Sequence, residues 1–161
     1  MTQLDELDMR ILEILQKDGR MALTRLSAHL DVPHTTIRDR LKKLEGGGVI
    51  ERYVAVLDPA RVGLPISAFV MVTLDQRLET APAVAALMDV AEVGEAFLLT
   101  GDVDVLIRIW ARDVEHLRQI VYEKLSMVPG LVRTNTVVIL DSRIKAGRLP
   151  LAEVSVTANH G

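Results

Sequence analysis

Three apolar stripes with helical spacing occupy the first 48 residues of the chain. The first stripe predicts a helix over residues 2–18, capped by Thr2 with Asp5 three residues later and ended by Gly19. Leucine and isoleucine recur along it every three or four residues, as a single buried helix face requires. The residues of this face are Leu4, Leu7, Ile11, Ile14 and Leu15.

Two shorter helices follow between residues 24 and 48, joined by a tight turn. Thr24 is the expected N-cap of the first, in which Leu26 and Leu30 lie on one face. Pro33 suits the first position of the next helix, where its missing N–H is not needed, and the glycines at 46–48 end that helix. The apolar stripe of this third helix consists of Ile37, Leu41 and Leu44.

Residues 49–57 are rich in β-branched side chains and predict one or two short strands. Three helices followed by strands are typical of a winged helix-turn-helix domain, which we place at residues 1–57. Asp58-Pro59 interrupts the pattern and indicates a linker over residues 58–65.

The second half alternates predicted strands and helices in the order βαββαβ. The strands are 66–75, 93–100, 103–111 and 131–140, and the helices are 80–91 and 113–127, capped by Thr80 and Asp113. The expected inward-facing residues are Val84, Leu87, Met88 and Ala91 in one helix and Leu117, Val121 and Leu125 in the other. This order predicts a ferredoxin-like domain over residues 66–148 and an α+β fold class. Residues 149–161 form the expected C-terminal tail, in which 151–156 could add an edge strand.

No predicted helix or strand packs against one face of the predicted sheet. Right-handed crossovers place both helices on the same face. The alternating strand at 103–111 then directs valine, isoleucine, leucine and tryptophan side chains to the other face. Because the chain has no further element to cover it, we predict that a second copy packs there.

Composition narrows the function classes. Aromatic residues make up only 3% of the 161 residues, which disfavours stacking on single-stranded nucleic acid. The absence of cysteine excludes disulfides and thiolate metal sites, and the four histidines lack the spacing of a metal site. The sequence has neither an apolar run of membrane-spanning length nor a signal-like N-terminus, so we expect a cytoplasmic protein without membrane contact.

The third helix carries a polar face suited to the major groove of double-stranded DNA, because small hydroxyl groups and cations read base edges and bind phosphates. The residues on or beside this face are His34, Thr35, Thr36, Arg38, Asp39, Lys42 and Lys43, whereas Arg40 lies nearer the apolar stripe. A solvated amphipathic helix is the alternative. The chain has a net charge of −3, so tight DNA binding calls for several copies.

The order and spacing of these motifs resemble those of the Lrp/AsnC (leucine-responsive regulatory protein) family of transcription regulators over residues 4–145. The matching motifs of the first half are Leu4-Asp5, Asp8, Ile11-Leu12, Arg40, Leu44-Glu45, Gly48-Val49-Ile50, Tyr53 and Asp58-Pro59. Those of the second half are Thr100-Gly101, Asp104, Pro129-Gly130, Thr134 and Thr136.

The resemblance implies a DNA-binding head on a ferredoxin-like body, the RAM domain, which binds an amino acid or related metabolite. It also implies a homodimer that assembles further, often to an octamer. The resemblance implies that the base-facing residues belong to the polar set of the third helix given above. It also matches Arg40 to an arginine that is nearly fixed in the family, and for Arg40 we expect a structural or phosphate-binding role. The implied effector-binding residues are Gly101, Asp102, Asp104, Thr134 and Thr136.

Two positions depart from the family pattern. Pro33 stands where a serine usually caps the recognition helix, so the cap must come from Asp31 or from the backbone. Val105 stands where an aromatic residue often follows the aspartate. Ordinary turn and strand chemistry also accounts for the aspartates and threonines of the effector set. The methionines Met71, Met88 and Met127 are predicted to be core residues.

Nothing in the sequence indicates catalysis: there is no phosphate loop, nucleophile motif or carboxylate pair that we can place in a pocket. We therefore expect a regulator without a cofactor. One enzymatic alternative shares the architecture, the sirohaem decarboxylases, which need histidine and basic groups for tetrapyrrole carboxylates. The second half offers only His116 and dispersed arginines for that purpose. A metabolite-binding body with an idle head is a further alternative, which the cationic third helix disfavours.

Overall fold

The computed structural model describes residues 3–143, 149–151 and 154. The helices are α1 (Glu6–Leu15), α2 (Leu23–Leu30), α3 (His34–Gly46), α4 (Thr80–Met88) and α5 (Val114–Gln119), and the strands are β1 (Ile66–Leu74), β2 (Val93–Leu98), β3 (Val105–Ala111) and β4 (Leu131–Val138). The described residues up to Val56, with those from 149 onward, form one compact unit, and Leu57–Arg143 forms the other. None of the helices in the described ranges is long and apolar enough to cross a membrane.

The first helix begins later than the sequence predicted. Asp5 is the N-cap of α1, and its carboxylate accepts from the backbone N–H of Asp8 at 3.0 Å while the Asp8 carboxylate accepts from the N–H of Asp5 at 3.2 Å. This reciprocal capping box satisfies two N–H groups that the first turn would otherwise leave unpaired. Asp5 is therefore the N-cap of α1, and it does not complete a capping box begun by Thr2. Thr2 itself lies outside the described residues.

The three helices of the first unit enclose a small aliphatic core. Its buried residues are Met9, Ile11, Leu12, Leu26, Leu30, Ile37 and Leu44. Half-buried apolar residues surround them, among them Leu4, Leu7, Ile14, Leu15, Leu41 and, from the C-terminal region, Leu151. The predicted stripes are thus confirmed, with Met9 and Leu12 as additional members.

Neither helix of the helix-turn-helix has the predicted side-chain cap. The N-cap of α2 is Ala22 rather than Thr24, and the N-cap of α3 is Pro33, in both cases without a side-chain hydrogen bond. Asp31 does not cap α3, because it ends α2 in the left-handed conformation with φ 55°. The turn is held instead by Ser27, whose backbone carbonyl accepts from Val32 N–H at 3.1 Å.

Replacing Asp31 by glycine is expected to stabilise the first unit by about 0.5–1 kcal/mol. Glycine adopts positive φ without the contact between Cβ and the backbone that strains other residues there. Thermal unfolding followed by circular dichroism measures the change. Asp31→Ala is the matched control and is expected to lower the stability, so equal melting temperatures for the two variants would contradict the assignment of strain.

Residues 49–57 form no strand, and this part of the prediction is wrong. The structure gives irregular backbone from Glu51 to Leu57, with Tyr53, Val54 and Val56 exposed. A strand needs a neighbouring strand to pair its N–H and C=O groups, and the described residues of this unit supply only helices as regular structure. As far as its residues are described, the head is a helix-turn-helix domain without wing strands.

The second unit has the predicted βαββαβ order. Its sheet is antiparallel throughout, with strand order β2–β3–β1–β4. Along β3 the burial alternates as predicted, since Val105, Ile107, Ile109 and Ala111 are buried and the residues between them are half-buried. The helices pack on the buried side and close a core of mainly valine, isoleucine and leucine side chains.

Both helices of the second unit differ in detail from the predicted ones. Met88 at the end of α4 and Met127 are exposed, so their predicted core positions are wrong, and Thr80 is not a cap, because Glu79 holds that position without a side-chain bond. Asp113 caps α5 as predicted, accepting from His116 N–H at 2.7 Å. After Gln119 the chain continues in a π-helical turn (Ile120–Lys124) and a 3₁₀ turn (Leu125–Met127). The buried residues here are His116, Ile120 and Leu125, and the wider π turn accounts for the five-residue step from Ile120 to Leu125. The predicted Leu117 and Val121 are half-buried against the same core.

The opposite face of the sheet, here called the open face, has no helix on it in the described part of this unit. Strand register assigns to this face the side chains of Ser67, Phe69, Met71, Thr73, Glu95, Phe97, Leu106, Arg108, Trp110, Arg133, Asn135 and Val137. Leucine, valine and tryptophan are there as predicted, but the isoleucines Ile107 and Ile109 are in the helix-covered core instead.

Candidate DNA-binding and effector-binding sites

The outer face of α3 is exposed over its whole length. The exposed residues of the predicted set are His34, Thr35, Arg38, Asp39, Lys42 and Lys43, and the half-buried ones are Thr36 and Arg40. Ile37 and Leu44 on the inner face are fully buried and hold the helix against α1 and α2. Among the described residues, Arg38 and Lys42 form no ion pair and no side-chain hydrogen bond, so their charges are free to meet a ligand.

Arg40 and Lys43 are already engaged within the head. The Arg40 guanidinium donates to Asp5, and its Nη1 also lies 3.2 Å from Asp8 Oδ1. Lys43 Nζ donates to Asp8 Oδ2 at 3.1 Å and to the carbonyl of Gln3 at 2.9 Å. Asp8 is fully buried at the centre of these contacts. We call Asp5, Asp8, Arg40 and Lys43 the head ion cluster, which ties the recognition helix to the start of α1.

The head ion cluster also changes the pKa of Asp5, its partly exposed acid. Burial raises the pKa of Asp5, but the backbone N–H of Asp8 and the Arg40 guanidinium outweigh it, so that the pKa of Asp5 lies below its ordinary value. The contact raises the pKa of Arg40 in turn. Since the folded-state pKa of Asp5 is lowered, its stabilising contribution is present at neutral pH and is lost as the pH falls through that pKa.

Tyr53 connects the irregular segment after α3 to the end of that helix. Its hydroxyl donates to Glu45 Oε1 at 3.0 Å, and its ring lies 3.6 Å from the position that a Cβ on Gly19 would occupy. Burial, with the adjacent Glu45 carboxylate, raises the pKa of Tyr53 to about 12. The phenol therefore stays protonated and keeps donating throughout the physiological range.

The second candidate site lies at the loop between β2 and β3. Gly101 adopts φ +125°, which other residues rarely do, and Asp102 is exposed. Asp104 is fixed, because its carboxylate accepts from Leu74 N–H at 2.7 Å and from Gln76 Nε2 at 2.7 Å. Of the two aspartates, Asp102 has the accessible carboxylate and Asp104 shapes the loop.

Thr134 and Thr136 lie on β4, on the other side of β1 from this loop. Strand register pairs them with Val72 and Val70, which belong to the helix-covered face, and both threonines are half-buried. β1 thus separates them from β3, which Asp104 immediately precedes. The expected effector residues surround the end of β1 rather than forming one continuous surface within a single chain.

Gln76 is a residue of this region that the sequence did not single out. It lies in the polar loop after β1, where Asp75 N–H also donates to the Gly130 carbonyl at 2.8 Å. The same loop holds Leu78 against Gly130, whose φ is +79°. A polar loop residue has no distinguishing pattern in a single sequence, so only the fold could bring Gln76 next to Asp104.

His116 is not available for binding a large anionic ligand. It is buried, its Nδ1 accepts from the N–H of Arg112 at 3.2 Å, and its Nε2 lies 3.1 Å from Glu92 Oε1. Because Nδ1 is an acceptor, Nε2 carries the hydrogen and donates to Glu92, which also receives Lys124. Within the described ranges, no group of three or more acidic or histidine side chains is arranged to hold a metal ion.

Comparison with known families covers both units of the chain. Residues 4–45 match the model of the AsnC-type helix-turn-helix domain. Residues 67–149 match the model of the Lrp/AsnC ligand-binding domain. The first matched range spans α1 to α3 except Gly46, and the second spans the sheet and its helices except Ile66.

Individual proteins give the same result. The chain is 33% identical to the leucine-responsive regulatory protein of Salmonella typhimurium, covering 91% of this chain and 90% of that protein. It is 34% identical to the proline dehydrogenase transcriptional activator of Rhizobium radiobacter, covering 89% and 94%. Its fold is similar to that of a Neisseria meningitidis transcriptional regulator solved with L-Met, with a TM-score of 0.87, 29% identity, and coverage of 92% and 97%.

Proposed function

The chain belongs to the Lrp/AsnC family of DNA-binding transcriptional regulators, and from this premise we propose which side chains meet DNA and effector. It is a regulator rather than an enzyme, since both units match regulator domains and its relatives are named as transcriptional regulators. Its second unit is a ligand-binding domain. The sirohaem decarboxylase alternative therefore has no support.

The proposed DNA-reading surface is the outer face of α3. The residues proposed to face the bases or phosphates are His34, Thr35, Thr36, Arg38, Asp39 and Lys42. The proposal rests on a difference between the four arginine and lysine side chains of α3. Arg38 and Lys42 point outward without a partner in the described chain, whereas Arg40 and Lys43 hold the helix through Asp8. Arg40 and Lys43 then contribute to DNA binding by fixing the helix at its docking angle, with Lys43 at the margin of the contact.

The regulator is proposed to act as a dimer that assembles further, up to an octamer. A single head offers few free cations, in a chain of net charge −3, so one copy binds few phosphates. The open face, which presents apolar side chains without a covering helix, is the proposed dimer surface. Two heads would then read half-sites about one helical turn, roughly 10 bp, apart.

The proposed effector is an amino acid or a closely related metabolite. Support comes from the family's ligand-binding domain and from the similar regulator solved with L-Met. The proposed site comprises Gly101, Asp102, Asp104, Thr134 and Thr136, with Gln76 added. Asp102 supplies an exposed carboxylate for an ammonium group, and Asp104 holds the loop in place through Leu74 and Gln76. Since β1 separates the two halves of the set, we propose that neighbouring copies complete the site.

The proposed function is tested by light scattering behind size-exclusion chromatography. The full chain is measured alone, with each of the twenty amino acids, and with DNA from upstream of its own gene. We expect a defined oligomer that binds this DNA and changes its assembly or affinity with a small number of amino acids. A monomer that responds to neither DNA nor any amino acid would contradict the proposal.

Replacing Asp104 by alanine is expected to abolish the effector response while leaving basal DNA binding unchanged. Leu74 N–H and Gln76 lose their acceptor, so the loop loses the shape that the ligand requires. Effector couplings are commonly about 5- to 150-fold in affinity, and this ratio should fall to about one. The readout is the DNA dissociation constant with and without the active amino acid. Asp89→Ala, an exposed aspartate of the same unit, serves as the control; a normal response of Asp104→Ala would remove this residue from the site.

A further inference from the structure

Arg108 occupies an unusual position for a charged side chain, in the middle of the open face. It projects from the central strand β3 and pairs in register with Glu95 on β2 and Phe69 on β1. Its guanidinium carbon lies 5.1 Å from the centre of the Trp110 ring and 5.9 Å from that of Phe69. The side chain is only 13% exposed, although no helix of this unit covers the face in its described part. The two rings therefore desolvate the cation and stabilise it by cation–π attraction.

The polar groups of this patch are incompletely paired. Among the described residues, no acceptor lies within hydrogen-bonding distance of Arg108 Nε or Trp110 Nε1, and both atoms are buried. The nearest acid is Glu95, whose Oε2 is 3.9 Å from Arg108 Nη1 and whose side chain is 44% exposed. A buried donor without an acceptor is destabilising, and more so when it is charged. The patch therefore calls for acceptors from another molecule.

The same face collects the large aromatic side chains. Both phenylalanines of the sequence and its only tryptophan lie here, in Phe69, Phe97 and Trp110. Trp110 packs closely against Gly94 of β2, because a Cβ added to Gly94 would overlap the tryptophan ring. Tryptophan and arginine at the centre of a flat apolar patch are the side chains that dominate binding energy at protein interfaces.

A neighbouring cation and acid on this face, Arg108 and Glu95, make that region complementary to itself, whereas the further cation Arg133 lies on the edge strand β4. In a two-fold symmetric contact the residue i of one copy meets residue j of the other, and j meets i. Arg108 and Glu95 meet this condition, since they are neighbours on the same face and opposite in charge. A partner lacking the acid at this place would leave a buried guanidinium unpaired, which disfavours it strongly.

We propose that Arg108 of each copy pairs with Glu95 of the other copy, and that this reciprocal pair restricts assembly to copies of this chain. The inference rests on the dimer surface given under the proposed function and adds the residues that determine the choice of partner. Phe69 and Trp110 hold the guanidinium in place, and Arg108 thereby acts as a specificity determinant of self-assembly.

The test uses two single charge reversals in the full chain, Arg108→Glu and Glu95→Arg. Alone, each variant brings like charges together across the interface, and we expect dimer dissociation constants at least tenfold above that of the original chain. Mixed together, the two variants place opposite charges at both contacts and should form a heterodimer about as tight as the original dimer. A pair acting only within one chain gives no such recovery, because each variant carries two like charges in itself.

Sedimentation velocity at a series of concentrations measures these constants. Arg118→Glu and Glu115→Arg are the matched controls, since these residues form an exposed ion pair on α5, away from the open face. Neither control should alter assembly, alone or mixed. Trp110, the only tryptophan, supplies a second readout: its quenching by acrylamide should decrease when the mixed variants associate.

Two outcomes would overturn the inference: single reversals that assemble like the original chain, or a mixture that stays dissociated. Phe97→Glu separates this failure from that of the dimer surface itself. If Phe97→Glu dissociates the dimer while the charge reversals do not, the face is the interface but the pair is not reciprocal across it. If all three variants assemble normally, the open face is not the dimer surface. Where circular dichroism shows that a reversal does not fold, Arg108→Met and Glu95→Gln replace the reversals. Each alone leaves a charge unpaired at both contacts and should weaken the dimer, and their mixture restores one Arg108–Glu95 contact and should partly recover it.

Discussion

Replacing Arg38 and Lys42 together by alanine is expected to weaken operator binding about a hundredfold or more at physiological salt. Both side chains are exposed on the outer face of α3 and have no ionic partner in the described chain. A direct base contact by arginine contributes about 1–3 kcal/mol, and each phosphate contact adds about 0.9 to the slope of log K against log salt. We therefore expect a lower affinity and a salt slope reduced by about 1–2 per head.

Fluorescence anisotropy of labelled operator DNA between 50 and 300 mM salt, roughly the range in which counterion release is easily resolved, measures both quantities. The matched control is Arg10→Ala with Lys17→Ala, which removes two exposed cations of the same head, one on α1 and one just after it. This control should retain most of the affinity, because its cations are not on the proposed surface. If the Arg38 and Lys42 variant kept the original salt slope, the proposed docking of α3 would be wrong.

Replacing Asp8 by alanine is expected to destabilise the head by about 3 kcal/mol, because removing one member of a buried ion pair leaves its partners without compensation. Asp8 is fully buried and accepts from Arg40, from Lys43 and from the N–H of Asp5. DNA binding should weaken as well, since α3 loses its attachment to the start of α1.

Urea unfolding followed by circular dichroism at 222 nm measures this loss, and the fluorescence of Trp110 reports the second unit separately. Glu13→Ala, an exposed acid on the same helix, is the control and should change stability by less than about 0.5 kcal/mol. An Asp8→Ala head that unfolds at the same urea concentration as the Glu13→Ala head would show that the head ion cluster contributes little.

The regular elements follow closely from local patterns in the sequence. The alternation of buried and half-buried residues along β3 and the cap of α5 by Asp113 are both local, and both are confirmed. Failures occur where distant partners decide the structure. The segment at 49–57 has strand-like composition, but the described residues of its own unit offer no strand to pair with it. The π turn after Gln119 adds one residue to the spacing of the buried series there.

In the candidate sites, too, features set by local sequence are predictable, whereas contacts between distant residues are not. A helical wheel suffices to predict which side of α3 is exposed, because burial of Ile37 and Leu44 fixes the opposite side. It gives no indication that Lys43 bends back to Asp8, since the two are 35 residues apart in the chain. Likewise, the contact between Gln76 and Asp104 spans 28 residues and depends on the strand order of the sheet.

The head ion cluster has a consequence for how the regulator distributes over a genome. Arg40 and Lys43 are already neutralised by Asp5 and Asp8, so they release few counterions when the head meets DNA. Affinity for DNA of arbitrary sequence depends almost entirely on such release, and a genome offers roughly a million or more competing sites. We therefore expect only a small fraction of the protein to be held on unrelated DNA, so that a modest cellular supply suffices to occupy the operators.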